Sequence, residues 1–342
     1  MTKTNKIPFI TLLQVFAIMC VFLGHATHIF SSWGWYGHNA DVDSICNTIH
    51  HIIYSFHMPL FIFLSGYLLG FKKDETFDYI KYIIKRFKRL IIPLFIVGIC
   101  YYIPFLILIN PFGQTPYESI KNFFTLQFNG HLWFLITLFV TTLIILPLTS
   151  KLLKKIPQIF ILIGLIVLNL LKIKGIPYSI IMAFKLAVYF YLGYLFALQK
   201  EDLQKIIAQK YSFITTTFIW LILEIINLNN WGNIYWATPT AIISIVFLFF
   251  LFYKLSIVKN NWSQNSLVIF ISTNMFALYL LHEPIMVSIL KLLNWGNLFT
   301  PLITTLILFV GTLALSTIIT TIINHLTTFI NKPKSIDNVY KS

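Results

Sequence analysis

The sequence predicts an all-α protein, a polytopic bundle of about ten membrane-spanning helices. Two observations predict it. The 342 residues are 58% hydrophobic and only 11% charged, with a mean hydropathy of +0.80. Soluble domains carry about 25% charged residues. The apolar residues also fall into runs of about 20, the length that crosses a bilayer.

The runs are 8–30, 46–71, 90–110, 130–149, 157–172, 177–198, 211–228, 237–255, 266–290 and 300–323. The first is too long for a signal peptide, lacks a small-residue cleavage pattern, and carries Gln14 and His25, so it reads as a retained helix. Connections between runs are short and often hold Pro or Gly, as at Pro111 to Gly113 and Gly175 to Pro177. Phe77, Ile80, Ile83, Ile84 and Phe87 recur at helical spacing with lysines between them. That pattern predicts an amphipathic helix over 74–90, lying on the membrane surface. No stretch outside the runs is long enough for a second domain. One membrane domain is expected over 1–342, ending in a short cytoplasmic tail, 324–342.

Positive charge orients the bundle. With the N-terminus inside, 20 of the 25 Lys and Arg residues fall on the cytoplasmic side, and four, Lys121, Lys172, Lys174 and Lys291, fall outside. Lys185 lies within a run. Both termini are therefore expected in the cytoplasm. The net charge of +14 does not signal nucleic acid, because the cations sit in short loops rather than on a folded face. Its expected partners are membrane lipids. Cys20, Cys46 and Cys100 have no metal or redox spacing and read as small buried hydrophobes.

Orientation allows depths to be compared. His25, His57, His131, His282 and Glu283 come from four runs and reach one level in the outer half. Polar groups in hydrocarbon are costly and usually face a cavity or pathway. Histidine is the natural general base near neutral pH. His25 and His57 are candidates for direct chemistry, with His131 and His282 structural or substrate-orienting. His28, His38, His50, His51 and His325 lie at loops or ends and read as solvated. No His-x-x-x-His or Glu-x-x-His pair joins the four central histidines, so no metal is expected. On the inner side, Lys81, Lys85, Arg86, Lys88 and Arg89 precede the third run. They read either as an orienting signal with lipid contact or as a phosphate-docking patch, since Arg86 and Arg89 are one turn apart. Gln14 precedes His25 by eleven residues, about 16 Å of helix on the same face.

Taken in order, Gly24-His25, Phe56-His57-Met58-Pro59-Leu60-Phe61 with Leu64-Ser65-Gly66-Tyr67, Arg86-x-x-Arg89, His131-Leu132-Trp133-Phe134-Leu135 and Tyr279-Leu280-Leu281-His282 resemble acyltransferase family 3. These are membrane-bound O-acyltransferases, and the similarity is greatest to the fucose 4-O-acetylase-like branch. The resemblance spans about the whole chain and implies the inner membrane of a bacterium. It implies a bundle of about ten helices and acetylation of a surface polysaccharide or lipid-linked glycan by cytoplasmic acyl-CoA. It also implies that His25 is the catalytic histidine of the family's Arg-x10-His signature. The arginine position holds Gln14 here, which can hydrogen-bond the pantetheine arm or thioester but cannot balance a phosphate.

The mechanism this suggests places acetyl-CoA phosphates at Arg86 and Arg89, its arm past Gln14, and its thioester near His25. His25 deprotonates the sugar hydroxyl, His57 or His282 orients it, and Glu283 holds an imidazole. Direct transfer is preferred over a relay on Ser65, which has no histidine within a turn. The competing readings are a glycan exporter, suggested by the intramembrane Lys185 and Glu224, and an inactive scaffold, suggested by Gln14.

Overall fold

A computed structural model describes residues 8–34, 41–72, 77–127, 130–150, 156–209, 211–258 and 261–330. Among them there are helices and no strands. The long elements are α1 (Pro8–His28), α2 (Ser44–Lys72), α3 (Tyr79–Val97), α6 (Trp133–Leu148), α8 (Tyr178–Leu198), α10 (Ser212–Asn229), α11 (Ile234–Val258), α12 (Ser266–Leu292) and α13 (Pro301–Ile330). The shorter ones are α4 (Ile103–Ile109), α5 (Pro116–Phe124), α7 (Gln158–Leu170) and α9 (Lys200–Ala208). Nine helical segments of the described residues are long and apolar enough to cross a membrane.

The tenth expected crossing is α7, which has 13 residues. That is about 20 Å, less than the hydrocarbon thickness of about 30 Å. Its passage is nevertheless required by its neighbours. Thr137 Oγ1 donates to Ser179 O (2.7 Å) and Thr141 Oγ1 to Ala183 O (3.2 Å). The constant offset makes α6 and α8 parallel, so the chain between them must return across the layer. Each such bond between membrane helices contributes about 0.6 kcal/mol.

The most extensive helix contact is between α2 and α8. It forms because both strip their surface at the crossing. A Cβ at Gly66 would collide with the Phe190 carbonyl, and one at Gly193 with the Phe63 carbonyl. The backbones thus touch, which is how helices associate where lipid offers no hydrophobic drive. α1 packs against α2, α11, α12 and α13, with Leu13, Ala17, Ile18 and Phe22 fully buried. The helix that carries Gln14 and His25 is therefore the central one.

Several sequence expectations change. The amphipathic segment over 74–90 is not a separate surface helix. α3 starts at Tyr79 and continues through Pro93 to a π-turn, Gly98–Tyr102, and then into α4. Nothing before Gly98 breaks it, and the extra residue of the π-turn accommodates Pro104, which has no N–H to donate. Phe123 of α5 fills the place where a side chain at position 98 would be. α5 and α9 themselves escape a hydropathy reading because they are short and polar. α5 did carry a local signal, the Thr115/Glu118 capping box. α13 runs on to Ile330, into the segment expected as the tail. Cys100 is exposed rather than buried, while Cys20 and Cys46 are buried. The expectations for His38, Lys3, Lys6, Lys73, residues 151–155, Lys210, Lys259 and the tail beyond Ile330 lie outside the described residues.

The α2–α8 contact makes a direct test. Gly193→Ala should lower the stability of the purified protein by about 1–3 kcal/mol, the usual cost of overpacking, read as a drop in thermal midpoint. Gly164→Ala on α7, where nothing lies within 4 Å of the added methyl, should leave the midpoint unchanged or raised. Equal effects would contradict the backbone contact.

Candidate active site

α1, α12 and the turn before α6 bring the expected polar residues together. His25 lies on α1 in the last turn, His282 and Glu283 lie mid-α12, and His131 sits in a short 3-10 turn, Gly130–Leu132. Glu283 Oε2 is 3.4 Å from His131 Nδ1 and 3.7 Å from His25 Nδ1. The His282 ring packs edge-on against both, 4.9 Å from His25 and 5.0 Å from His131. His131, His282 and Glu283 are buried, and His25 keeps 18% of its side chain exposed.

Backbone carbonyls fix the rings. His131 Nε2 donates to Leu280 O (3.0 Å), His282 Nδ1 to Tyr279 O (2.6 Å) and His57 Nδ1 to Ile53 O (2.8 Å). A carbonyl only accepts, so each of these nitrogens carries a proton. In a neutral ring the other nitrogen then holds the lone pair. For His131 that nitrogen faces a carboxylate oxygen. The two form an ion pair only when the imidazole is protonated. Tyr279 Oη donates to the His131 carbonyl, tying α12 to the turn. Gly130 is needed there: its φ is +48°, and a Cβ would strike the Tyr102 hydroxyl and Glu283 Oε1.

His25, His57, His131 and Glu283 line a cavity of about 810 Å³. That volume suits a small ligand or a sugar unit. Aromatic side chains, Trp33, Tyr54, Trp133, Tyr178 and Trp231, form much of its wall. His57 is linked to His25 through Tyr54, whose ring is 4.6 Å from His57 and 6.3 Å from His25. His282 is not on the wall. It sits behind His25, its Nε2 buried without a hydrogen-bond partner among protein atoms, so it contacts the base and not a ligand in the cavity.

Gln14, Arg86 and Arg89 meet elsewhere. With Ser65, Tyr82 and Lys85 they line a second pocket of about 150 Å³ at the other end of the bundle. Ser65 has no histidine in that lining. Arg86 Nε donates to Tyr82 Oη (3.0 Å). Tyr279 belongs to the walls of both spaces. It separates the pocket of Gln14 from the cavity of His25.

His50 and His51, expected in solvent, are buried. α2 begins at Ser44 and extends them past the end of α1, where they gain partners. His28 Nδ1 and His50 Nε2 are 2.8 Å apart, and His51 stacks on Trp231 at 4.0 Å. His325 is exposed, as expected. Glu224 is buried on α10 and accepts from Ser55 Oγ (2.9 Å). Lys185 lines the large cavity.

Sequence spacing argued against a metal because it compared ligands along one helix. The fold gathers them from two: donor atoms of His25, His282 and Glu283 lie within 4.8 Å of one another. Sequence reasoning also passed over Tyr54, Tyr102 and the dividing role of Tyr279. Aromatic residues are too frequent in this chain, 17%, to stand out individually.

A family model described as an acyltransferase domain, acyltransferase family 3, matches residues 7–321. The comparisons match no curated protein and no solved structure.

Proposed function

The chain belongs to acyltransferase family 3, and we propose that it transfers an acetyl group from cytoplasmic acetyl-CoA to a hydroxyl of an extracytoplasmic glycan. The observation that carries this reading is the pair of spaces along α1. His25 and Glu283 line one, Gln14, Arg86 and Arg89 line the other, and Tyr279 lines both. A bundle with both termini in the cytoplasm, the orientation the lysine distribution supports, has the arginine pocket inside and the histidine cavity outside.

The arginines take the donor's phosphates, which they can bind bidentately. The pocket is smaller than the roughly 300 Å³ of common ligand sites. The nucleotide therefore rests at its cytoplasmic mouth, and the pantetheine arm enters past Gln14. Gln14 offers a neutral donor and acceptor to the arm's amides, where the family signature has a cation.

In the cavity, Glu283 Oε2 faces His25 Nδ1 at 3.7 Å, and Nε2 is the base. Nε2 removes the acceptor's proton, and the hydroxyl oxygen attacks the thioester carbonyl. The C–S bond breaks, and the CoA thiolate takes the proton from His25. Charge thus appears only briefly on an imidazole already facing a carboxylate. His131 and His282 hold Glu283 and His25 in place, and His57 Nε2 is free to accept from a second sugar hydroxyl. The aromatic walls suit a sugar's apolar faces. Features shared with the fucose 4-O-acetylase-like branch support a glycan acceptor by sequence motif alone.

His25→Ala should lower transfer of labelled acetyl from acetyl-CoA by about 10²–10⁴-fold, the worth of a general base, with CoA binding kept. His28→Ala should cost far less, because His28 is bonded to His50 and is absent from the cavity wall. Wild-type transfer by His25→Ala would remove the mechanism. The His25, His282 and Glu283 donor set favours one second reading, a bound divalent cation. Dialysis against a chelator should leave transfer unchanged under the acid–base reading and abolish it under the other.

Arg86→Ala with Arg89→Ala should weaken CoA affinity, and the wild-type affinity should fall with salt, since phosphate contacts are screened. Unchanged affinity in the double variant would return the arginines to a role in orientation. Cysteines introduced at Asn230 and Glu201 in a cysteine-free background check the topology. An impermeant thiol reagent should label the first in intact cells and not the second.

A further inference from the structure

The large cavity contains a cation that the acid–base chemistry does not use. Lys185 sits on α8, seven residues in from Tyr178, which is about 10 Å below the helix end. It lines the same cavity as His25. Among the described residues no carboxylate lies within ion-pair distance of its ammonium. The acid of the cavity wall, Glu283, is engaged by His25 and His131. Glu224, the other acid buried in this half, is absent from the wall and bonds Ser55.

A lysine facing lipid can carry its ammonium out to the headgroups. This one instead lines a cavity and has polar neighbours. Asn169 Nδ2 donates to the Lys185 carbonyl (2.7 Å), and Thr238 Oγ1 donates to Asn169 Oδ1 (2.7 Å). These bonds pin the backbone at Lys185 and leave its side chain free. Ser179 Oγ, also on the wall, is buried without a partner. An unanswered cation and an unanswered hydroxyl on one helix are donors waiting for an acceptor-rich, anionic ligand.

We propose that Lys185 anchors an oxyanion subsite, so that the ligand of this cavity carries a carboxylate or phosphate. This deepens the acyl-transfer reading and rests on it: the acceptor glycan is anionic, through a uronic acid or through the phosphate of a lipid carrier. Lys185 is a specificity-determining residue, and it holds the acceptor while His25 acts on it.

The test uses the full chain in neutral detergent, with binding and transfer measured separately. Quenching of the cavity tryptophans reads binding of three probes: a glucuronate-containing oligosaccharide, its neutral glucose counterpart, and a polyprenyl phosphate. Lys185→Met should weaken binding of at least one anionic probe about 10- to 100-fold, the worth of a hydrogen bond to a charged group. Lys185→Arg should restore it, and the neutral probe should be indifferent to both. Which anionic probe responds identifies the source of the charge. Equal binding by wild type and Lys185→Met, or no binding of either anion by wild type, overturns the subsite. If anions bind through Lys185 and no acetyl is transferred to any acceptor, the subsite stands and the acyl-transfer reading falls.

Discussion

A carboxyl group inside a membrane bundle has to be answered by the protein itself, and Glu283 is where this bundle answers one. Its Oε2 faces His131 from the turn before α6 and His25 from α1. His282, the residue before it, packs between those two rings. Breaking one partner of such a buried group costs several kcal/mol, because the other is left without solvent. The three segments are therefore held at one relative position, and the cavity they line keeps its shape.

The rest of the bundle serves that arrangement. Polar side chains spend their hydrogen bonds locally: Thr137 and Thr141 tie α6 to α8, and Thr238 and Asn169 tie α11 and α7 to α8. Glycines at 66 and 193 bring α2 against α8, the helices that carry His57 and Lys185 into the cavity wall. Catalytic geometry in hydrocarbon thus comes from close backbone approach and satisfied donors rather than from hydrophobic burial, which lipid provides equally well to unpacked helices.

In the proposed acyl transfer, the two spaces that share Tyr279 as a wall give the reaction a direction. That proposal keeps the donor's nucleotide with the arginines at one end and the acceptor with the histidines at the other, and only the thioester passes from one space toward the next. Gln14 is neutral, so in the same proposal the charge that meets a phosphate is that of Arg86 and Arg89.

Composition and run length determined the fold class, because hydrocarbon tolerates only helices whose backbone bonds close internally. The same alphabet, read with the lysine skew, put His25, His57, His131, His282 and Glu283 at one depth. Depth is a one-dimensional property, and a sequence carries it. Which of those residues touch is not. Tertiary packing alone decided that His282 stands behind His25 while His57 lines the cavity, that Gln14 joins the arginines, and that Lys185 opens on the histidines' cavity. Helix rotation and pairing depend on contacts between residues 100 or more positions apart, such as His131 with Glu283, and no local pattern encodes them. The burial of His50 and His51 was hidden for the same reason: their partners, His28 and Trp231, lie on other elements.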